Sequence, residues 1–389
     1  MGDRRPRVLF VTNLATHYRA PLFERLADRL DAEFLLFSDG KEWFWSGQRP
    51  PVPPGLRVAQ LPGFWVGRAA RVTPGLPWEL CRRRHVDVVV KCMNGRFALP
   101  ATYLTCLALR LPFVLWTGMW LHPTTLFHRL SRPLVRWIYR RADAVVTYGP
   151  HVSAFVKAEG CPGENIFVSP QSVDNDLYGT PPTRAALHAL AQELGVAGKR
   201  VLLAVGRFVP EKGLLGLLDA FSRVGRSDAA LVLIGQGPLR QQIEERVAAR
   251  RIEGVTLVAP VPAESVRTYY YLAHALVLPS VTTDRVREPW GLVVNEAMNA
   301  GVPVVATDAV GAAAGGLVVD RVTGLVVPER DEERMAAALR SILDDPAGAA
   351  AMGEAARRRV RAYTFDAAAD GFVAAIHHAL SRRRGARPS

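Results

Sequence analysis

Cysteine is scarce in this chain. Only Cys81, Cys92, Cys106 and Cys161 occur among 389 residues, at separations of 11, 14 and 55. That spacing matches neither a zinc pattern nor the dense framework of a small disulfide-stapled domain, so buried thiols are the expectation. Uninterrupted apolar runs are missing too. A membrane-spanning helix needs about 18–20 apolar residues in succession, and the apolar stretch 98–121 is broken by Pro100, Arg110, Pro112 and Gly118. The N-terminal MGDRRPRVLFVTN passes from a basic start straight into a strand-like run, without the apolar core and small-residue cleavage site of a secretory signal. A cytoplasmic location is the expectation. Negative charge is in the minority: 36 Asp and Glu stand against 49 Lys and Arg, a net charge of +13. The excess favours anionic partners such as nucleotides and phosphorylated lipids. No recognised motif or basic–aromatic interleaving points to nucleic acid. The Arg-rich runs 82–84, 129–141 and 382–387 read as solvated faces.

What is present is a repeated alternation of apolar, β-branched runs with amphipathic stretches, the pattern of a parallel α/β architecture. In the first half the strands are 7–13, 34–39, 86–92, 112–118 and 142–149, with helices at 20–30, 98–109 and 128–141. The proline-rich segment 50–77 breaks the rhythm as a long irregular excursion. The rhythm restarts after 166–182. Strands then fall at 200–207, 230–237, 255–260, 275–280, 302–308 and 324–328, and helices at 183–194, 213–224, 238–250, 263–273 and 291–300. Two last helices, 331–343 and 366–381, follow the final strand. The length and the 49% hydrophobic content suit two ordinary domains. Their expected bounds are 1–177 and 178–365, with 366–389 as a C-terminal helix and basic tail returning to the first domain.

Chemistry is clearest in the second domain. The strand VLLAV ends in Gly206 and Arg207, and Lys212 stands near the start of the next helix. In doubly wound folds ligands bind at the carboxyl ends of strands. A guanidinium and an ammonium five residues apart there can clamp a diphosphate and neutralise charge growing on a leaving group. The plain alternative is a surface ion pair between Arg207 and Glu211. Further on, EPWGLVVNEAMNAG places Glu288 before a Pro-Trp-Gly turn and Glu296 eight residues later, about one turn into a helix. Ionised carboxylates accept hydrogen bonds well from sugar hydroxyls. Gly291 permits close backbone approach, and the helix start beside it offers free amides to an anion. In GQGPLR (235–240) the third glycine of a dinucleotide fingerprint is missing, which argues against a nicotinamide dehydrogenase.

Glu288, seven residues, Glu296, then Ala297 and Met298 resembles the motif of the retaining GT-B glycosyltransferases of group 1 (glycosyltransferase family 4), which include sucrose synthase and the bacterial phosphatidylinositol mannosyltransferases. The resemblance covers nearly all of 7–380 and is strongest over 200–330. It implies two Rossmann-like, doubly wound domains facing across a cleft, with the C-terminal helix crossing back. It also implies a retaining, metal-independent hexosyltransferase without cofactor, moving a sugar from a nucleoside-diphosphate sugar to a hydroxyl acceptor. A UDP-sugar is the favoured donor, with a GDP-sugar second. By the same likeness Arg207 and Lys212 hold the diphosphate, Glu288 the transferred sugar and Glu296 the ribose. Gly206, Gly235, Gly237, Val261, Trp290, Gly291 and Leu292 complete the donor site, and the loop 311–316 matches a phosphate-side loop. Pro260 stands where relatives often carry Gly.

The first domain matches less closely. NLATHYRAPLF (13–23) replaces the glycine pair of many relatives and makes Tyr18 and Arg19 candidates for the acceptor, with Trp116 and Thr117. The histidine that relatives carry near Thr117 is missing; His122 is the candidate to replace it as a catalytic residue. Asp174 and Asp176 read as a turn rather than a metal pair. The acceptor is expected to be lipid-linked, a saccharide or a natural product. The basic, aromatic-rich surfaces 43–78 and 116–141 suit peripheral contact with the inner membrane face. The rival reading is a sugar-nucleotide epimerase or phosphorylase on the same scaffold.

Overall fold

The computed structural model describes residues 4–16, 18–41, 54–67 and 70–385. They fall into two compact units. The first lies within Met1–Trp120, Leu126–Pro170 and Phe365–Ser389, and the second is Leu121–Thr125 with Gln171–Thr364.

The first unit runs β1 (Arg7–Thr12), α1 (Ala20–Arg29), β2 (Asp31–Leu36), β3 (Val58–Gln60), β4 (Phe64–Val66), β5 (Ala70–Val72), α2 (Leu76–Arg82), β6 (Val88–Cys92), α3 (Ala98–Ala108), β7 (Phe113–Thr117), α4 (Leu126–Arg141), β8 (Ala144–Thr147), α5 (Pro150–Ala158) and β9 (Ile166–Val168). Seven strands form one sheet in the order β3-β2-β1-β6-β7-β8-β9, every pair parallel. Parallel strands are buried on both faces, which is why β1, β6 and β7 read as nearly unbroken apolar runs. The chain leaves β1 in one direction and returns at β6 to run in the other. That reversal creates a switch point between the carboxyl ends of β1 and β6.

The C-terminal helix, Phe365–Gly385, belongs to this unit. Ala368, Ala369, Phe372, Ala375, Ile376 and Ala379, spaced by one, three or four residues, enter its core. Ser169 Oγ donates to Ala368 O at 2.9 Å, Arg29 pairs with Asp366 at 2.8 Å, and Arg383 pairs with Asp143 at 3.0 Å.

The second unit runs α6 (Asn175–Gly179), α7 (Arg184–Glu193), β10 (Arg200–Val205), α8 (Leu214–Ser222), β11 (Ala229–Ile234), α9 (Arg240–Ala249), β12 (Val255–Val258), α10 (Ala263–Leu272), β13 (Ala275–Leu278), α11 (Leu292–Asn299), β14 (Val304–Thr307), α12 (Gly311–Ala314), β15 (Gly324–Val327), α13 (Glu332–Asp344) and α14 (Pro346–Val360). Its sheet, β12-β11-β10-β13-β14-β15, is again all parallel, with the switch point between β10 and β13.

Several expectations need correcting. The described part of 50–77 is not irregular: β3 extends the main sheet, β4 and β5 form an antiparallel hairpin, and α2 begins at Leu76. These strands are three residues long, too short for a periodic signal, and residues 50–53, 68 and 69 lie outside the described residues. Helices α5 and α14 also went unforeseen; each starts on a proline, and the Ala-Gly-Arg composition of α14 blurs its apolar face. Cys81 is exposed rather than buried. The boundary expected at 177/178 falls at 170/171. Residues 171–175 are tied to the second unit, where Asn295 Nδ2 donates to Gln171 O at 2.8 Å and Asn299 Nδ2 to Asn175 Oδ1 at 2.9 Å. Asp174 caps α6, its carboxylate accepting from the Asp176 and Leu177 amides at 3.0 and 2.9 Å.

Candidate functional site

The second unit's site grows from its switch point. After β10 the chain turns through Gly206 and Arg207 into a single 3-10 turn, Pro210–Lys212, and α8 starts at once behind Gly213. Lys212 is thereby set against the end of the neighbouring β13. A small cavity here is lined by Gly206, Arg207, Lys212 and Pro279, among others. Lys212 Nζ donates to Glu288 Oε2 at 2.5 Å, and Ser280 Oγ, just past β13, donates to the same oxygen at 3.2 Å. Both members of the ion pair are largely buried, at 15% and 14% side-chain exposure, so it is screened less than a surface pair.

Glu288 is also fixed through its backbone. Its carbonyl accepts from Gly311 N at 3.0 Å, which joins the 311–316 segment to the Glu288 loop. The loop ahead of it is held by Glu329, whose carboxylate takes the Thr282 hydroxyl at 2.6 Å and the Thr282 amide. Arg207 pairs with Glu211, Nη2 to Oε1 at 3.1 Å. The plain alternative for that arginine is thus realised in the protein without a ligand. Arg207 and Lys212 nevertheless stand at the same strand ends, and both line the small cavity.

Helix α11 starts behind Gly291, whose φ of 93° is in the left-handed region that favours glycine. A Cβ there would lie 2.5 Å from Leu278 Cδ2. No side chain caps α11 and its first turn carries no acid, so its positive end is open to an anion beside Leu292. Trp290 differs from expectation. The residue is 3% exposed and its indole donates to Asn295 Oδ1 at 2.7 Å, so the ring is packed inside the unit. Gly235 has a structural reason: a Cβ there would meet Gly206 O at 1.9 Å, because the turns after β10 and β11 pack backbone to backbone. Gly237 lies in the second of those turns, and Val261 is half-buried in the loop after β12.

Glu296 faces two residues that sequence reasoning missed. Tyr270 is fully buried on α10 and its hydroxyl donates to Glu296 Oε2 at 2.5 Å; Tyr178 on α6 is a second hydrogen-bond partner. The two rings meet edge to face, with centroids 6.1 Å apart. Burial pushes the Glu296 carboxyl above its ordinary range, and the Tyr270 and Tyr178 hydroxyls pull in the opposite direction. The run Tyr269-Tyr270-Tyr271 in an otherwise amphipathic helix was the available signal. Nothing local marked Tyr178, Ser280 or Glu329.

In the first unit, Arg19 sits just before α1, in the loop after β1. It lies over the Trp116 ring at 4.8 Å and the Tyr18 ring at 5.7 Å, and donates to Asn13 Oδ1 at 3.2 Å and to the Tyr148 hydroxyl at 3.4 Å. Tyr18, Arg19 and Trp116 are thus brought together. Thr117 is nearly inaccessible and its hydroxyl accepts from Met119 N at 3.1 Å, which makes it a support for the turn after β7 rather than an exposed contact. His122 is not part of this unit. It lies in Leu121–Thr125, which belongs to the second unit, where Thr124 N donates to Asp284 O at 2.8 Å. Among the described residues no three His, Cys, Asp or Glu gather as a metal site.

Two doubly wound parallel sheets, one with a cationic pair at its switch point, define an α/β protein of two Rossmann-like units. The family described as Glycosyl transferases group 1 matches residues 189–359, all within the second unit. Over 357 residues the chain is 28% identical to alpha-D-kanosaminyltransferase of Streptomyces kanamyceticus, an alignment covering 82% of this chain and 90% of that one. It is 31% identical over 234 residues to the GDP-mannose-dependent alpha-(1-6)-phosphatidylinositol monomannoside mannosyltransferase of Mycolicibacterium smegmatis, covering 59% of this chain and 60% of that relative's length. The crystal structure of Anabaena HepE in complex with UDP shares the fold at a TM-score of 0.71 and 20% identity, over 97% of this chain and 100% of that one. Residues 189–359 thus match the group 1 glycosyl transferases, and the chain as a whole has the GT-B fold.

Proposed function

We propose that this glycosyltransferase transfers a hexose, with retention of anomeric configuration, from a nucleoside-diphosphate sugar to a hydroxyl acceptor. The observation that carries the reading is the Lys212–Glu288 pair at the β10/β13 switch point, with Arg207 beside it and Glu296 one turn into α11. On binding, the donor diphosphate takes over Lys212 and Arg207 from their carboxylates, the positive end of α11 adds to the anion field, and Glu288 is released to accept from the sugar hydroxyls. Glu296 accepts from the ribose. Gly206, Gly235, Gly237, Val261, Gly291 and Leu292 shape the site through their backbone. Positive charge for the leaving group comes from the protein itself, so no divalent metal is required. Retention follows a front-face path in which the leaving phosphate helps take the acceptor proton.

UDP is the favoured nucleotide, supported by the fold shared with HepE, which binds UDP. A GDP-sugar is the second candidate, since the mannosyltransferase relative is GDP-mannose-dependent. Tyr18, Arg19 and Trp116 of the first unit bind the acceptor, with Thr117 behind them, and His122 serves beside the reacting sugar. The acceptor belongs to cell-envelope glycan or natural-product biosynthesis, on the cytoplasmic side. Peripheral contact with the inner membrane face is supported by α4, which exposes Leu126 at 71% and Leu130 at 75% beside Arg129 and Arg132 and carries Arg140 and Arg141 in its last turn. No helix among the described residues is long and apolar enough to cross a membrane.

A panel of UDP, GDP and their sugars in thermal unfolding tests the donor site. A ligand at a hundred times its Kd adds about 2.7 kcal/mol of stability, and the absence of any shift rejects the reading. Release of nucleoside diphosphate that depends on an acceptor separates transfer from epimerase or phosphorylase chemistry. Undiminished turnover in EDTA is expected for a metal-independent enzyme.

A further inference from the structure

The switch point of the first unit has its own concentration of donors. Arg19 follows β1, Trp116 is on β7, and Lys91 and Cys92 close β6. Tyr18, Tyr148 and Cys92 are the ionisable groups that act most strongly on Arg19, and among the described residues no carboxylate pairs with it. A half-buried guanidinium without a counter-ion is costly, and the stacking on Trp116 offsets only ~0.5–2 kcal/mol. Two hydrogen bonds leave the rest of its N–H fork uncommitted among the described residues.

Two neighbouring donors have no hydrogen-bond partner among the described residues. Trp116 Nε1 belongs to a residue only 4% exposed and Thr16 Oγ1 to one 2% exposed, and neither makes a hydrogen bond. Thr16 is bound to the Arg19 turn, its carbonyl accepting from the amides of Arg19 and Ala20 at 2.9 Å. Buried polar groups are nearly always satisfied, so such orphans call for an explanation. The ten-residue helix α1 begins here with no side-chain cap and no acid in its first turn. Lys91, paired with Val11 across β1 and β6 and 0% exposed, donates from its ammonium to Cys92 O at 2.6 Å and Asn94 O at 2.7 Å, and meets no carboxylate among the described residues. Burial pushes the Cys92 thiol up, yet Lys91, Thr12, Arg19 and Asn13 together bring it below its ordinary value, the response of an acid in a positive field.

We propose that Arg19, Trp116 and Thr16 form an anion subsite at the β1/β6 switch point that takes a phosphate group carried by the acceptor. The inference rests on the reading of the first unit as the acceptor unit and names the acceptor's chemistry. A planar carboxylate fits one face of a guanidinium fork. A phosphate, with three free oxygens as a monoester or two as a diester, each with several lone pairs, accepts at once from the fork, an indole N–H, a hydroxyl and helix amides. The phosphate comes from a soluble phosphate ester or from a lipid headgroup, and the same chemistry recognises both.

The test uses the full chain in the Lys212→Gln background, which removes the donor-side ammonium, with binding followed by calorimetry at constant ionic strength. Inorganic phosphate and glycerol 3-phosphate are expected to bind saturably, and acetate at least tenfold more weakly. Adding Arg19→Gln should weaken phosphate at least tenfold. Arg19→Lys, which keeps the charge should the glutamine variant fail to fold, should weaken it by less. Trp116→Phe, which keeps a ring and removes Nε1–H, should weaken it about threefold. Glycerol 3-phosphate tighter than phosphatidylglycerol vesicles supports a soluble acceptor; the reverse order supports a lipid one. The proposal is overturned by phosphate binding unchanged in the Arg19→Gln protein, by no saturable binding of any phosphate probe, or by acetate binding as tightly as phosphate. In the wild-type protein the UDP response should depend on Lys212 and not on Arg19. Loss of the phosphate response with UDP binding intact rejects only the subsite, and loss of UDP binding alone rejects the donor reading.

Discussion

The two units carry the same sheet architecture and treat charge at their strand ends in opposite ways. In the second, Lys212 and Arg207 are matched by Glu288 and Glu211 before any ligand arrives. In the first, Arg19 faces aromatic rings and an amide, and Lys91 faces backbone carbonyls. A paired site is held in shape by its own ion pairs. An unpaired one keeps a field for a charge from outside. The physical cost differs: the first design must break ion pairs on binding, and the second bears the desolvation of a cation while empty.

The comparison can be broken most directly at Lys212. Lys212→Ala removes a charge from the leaving diphosphate, which typically costs ~3–4 kcal/mol of transition-state stabilisation, so turnover should fall on the order of a hundredfold or more. A variant turning over near the wild-type rate would end the argument for that unit. Glu288→Gln sharpens it, because the two halves of the pair should then separate. Turnover is expected to fall at least tenfold, whereas nucleoside diphosphate should bind as tightly as before or more tightly, since Lys212 no longer has to leave a carboxylate. Equal losses in binding and turnover would contradict the exchange.

A smaller effect is expected at Tyr270. Hydrogen bonds to charged groups contribute about 1.5–3 kcal/mol, and Tyr270→Phe removes one that holds Glu296 in its acceptor state. Because burial raises the Glu296 carboxyl, it protonates at a higher pH than an ordinary glutamate, and donor affinity should decline on the acid side accordingly. Losing the Tyr270 hydroxyl, which pulls the carboxyl down, should move that acid limb to still higher pH and raise the donor KM roughly fivefold. A limb that stays in place, measured as kcat/KM for the donor against pH, assigns Tyr270 to packing alone. The smallest effect belongs to Asp174→Ala. Losing the α6 cap costs about 1 kcal/mol, or ~2–4 °C in the melting of a unit of this size, with turnover unchanged. A lost activity there would reopen the metal reading of the Asp174 and Asp176 pair.

Legibility followed chain distance. Arg207, Lys212, Glu288 and Glu296 were readable because each sits at a position that a strand-turn-helix unit defines locally. Tyr178 and Tyr270 were not, since 92 residues of chain separate two hydroxyls that meet on one carboxylate. Trp290 looked like a ligand contact by its place in the motif, but the direction of its indole depends on Asn295 one turn into α11. His122 was placed with the first unit by its neighbours along the chain; the Thr124–Asp284 bond assigns its segment to the second. Helix α14 escaped because a run of alanine, glycine and arginine carries little periodic contrast.

By itself the sequence determined the alternation of strands and helices, the two doubly wound halves and the charged residues at the strand ends of the second. These depend on periods of a few residues and on motif spacing, which act through local geometry. Only the tertiary structure decided which carboxylate each cation of the second unit meets, which hydroxyls hold Glu296, and that Arg19 meets no carboxylate among the described residues. Those outcomes are set by the order of strands in each sheet, and that order brings together residues the chain keeps far apart.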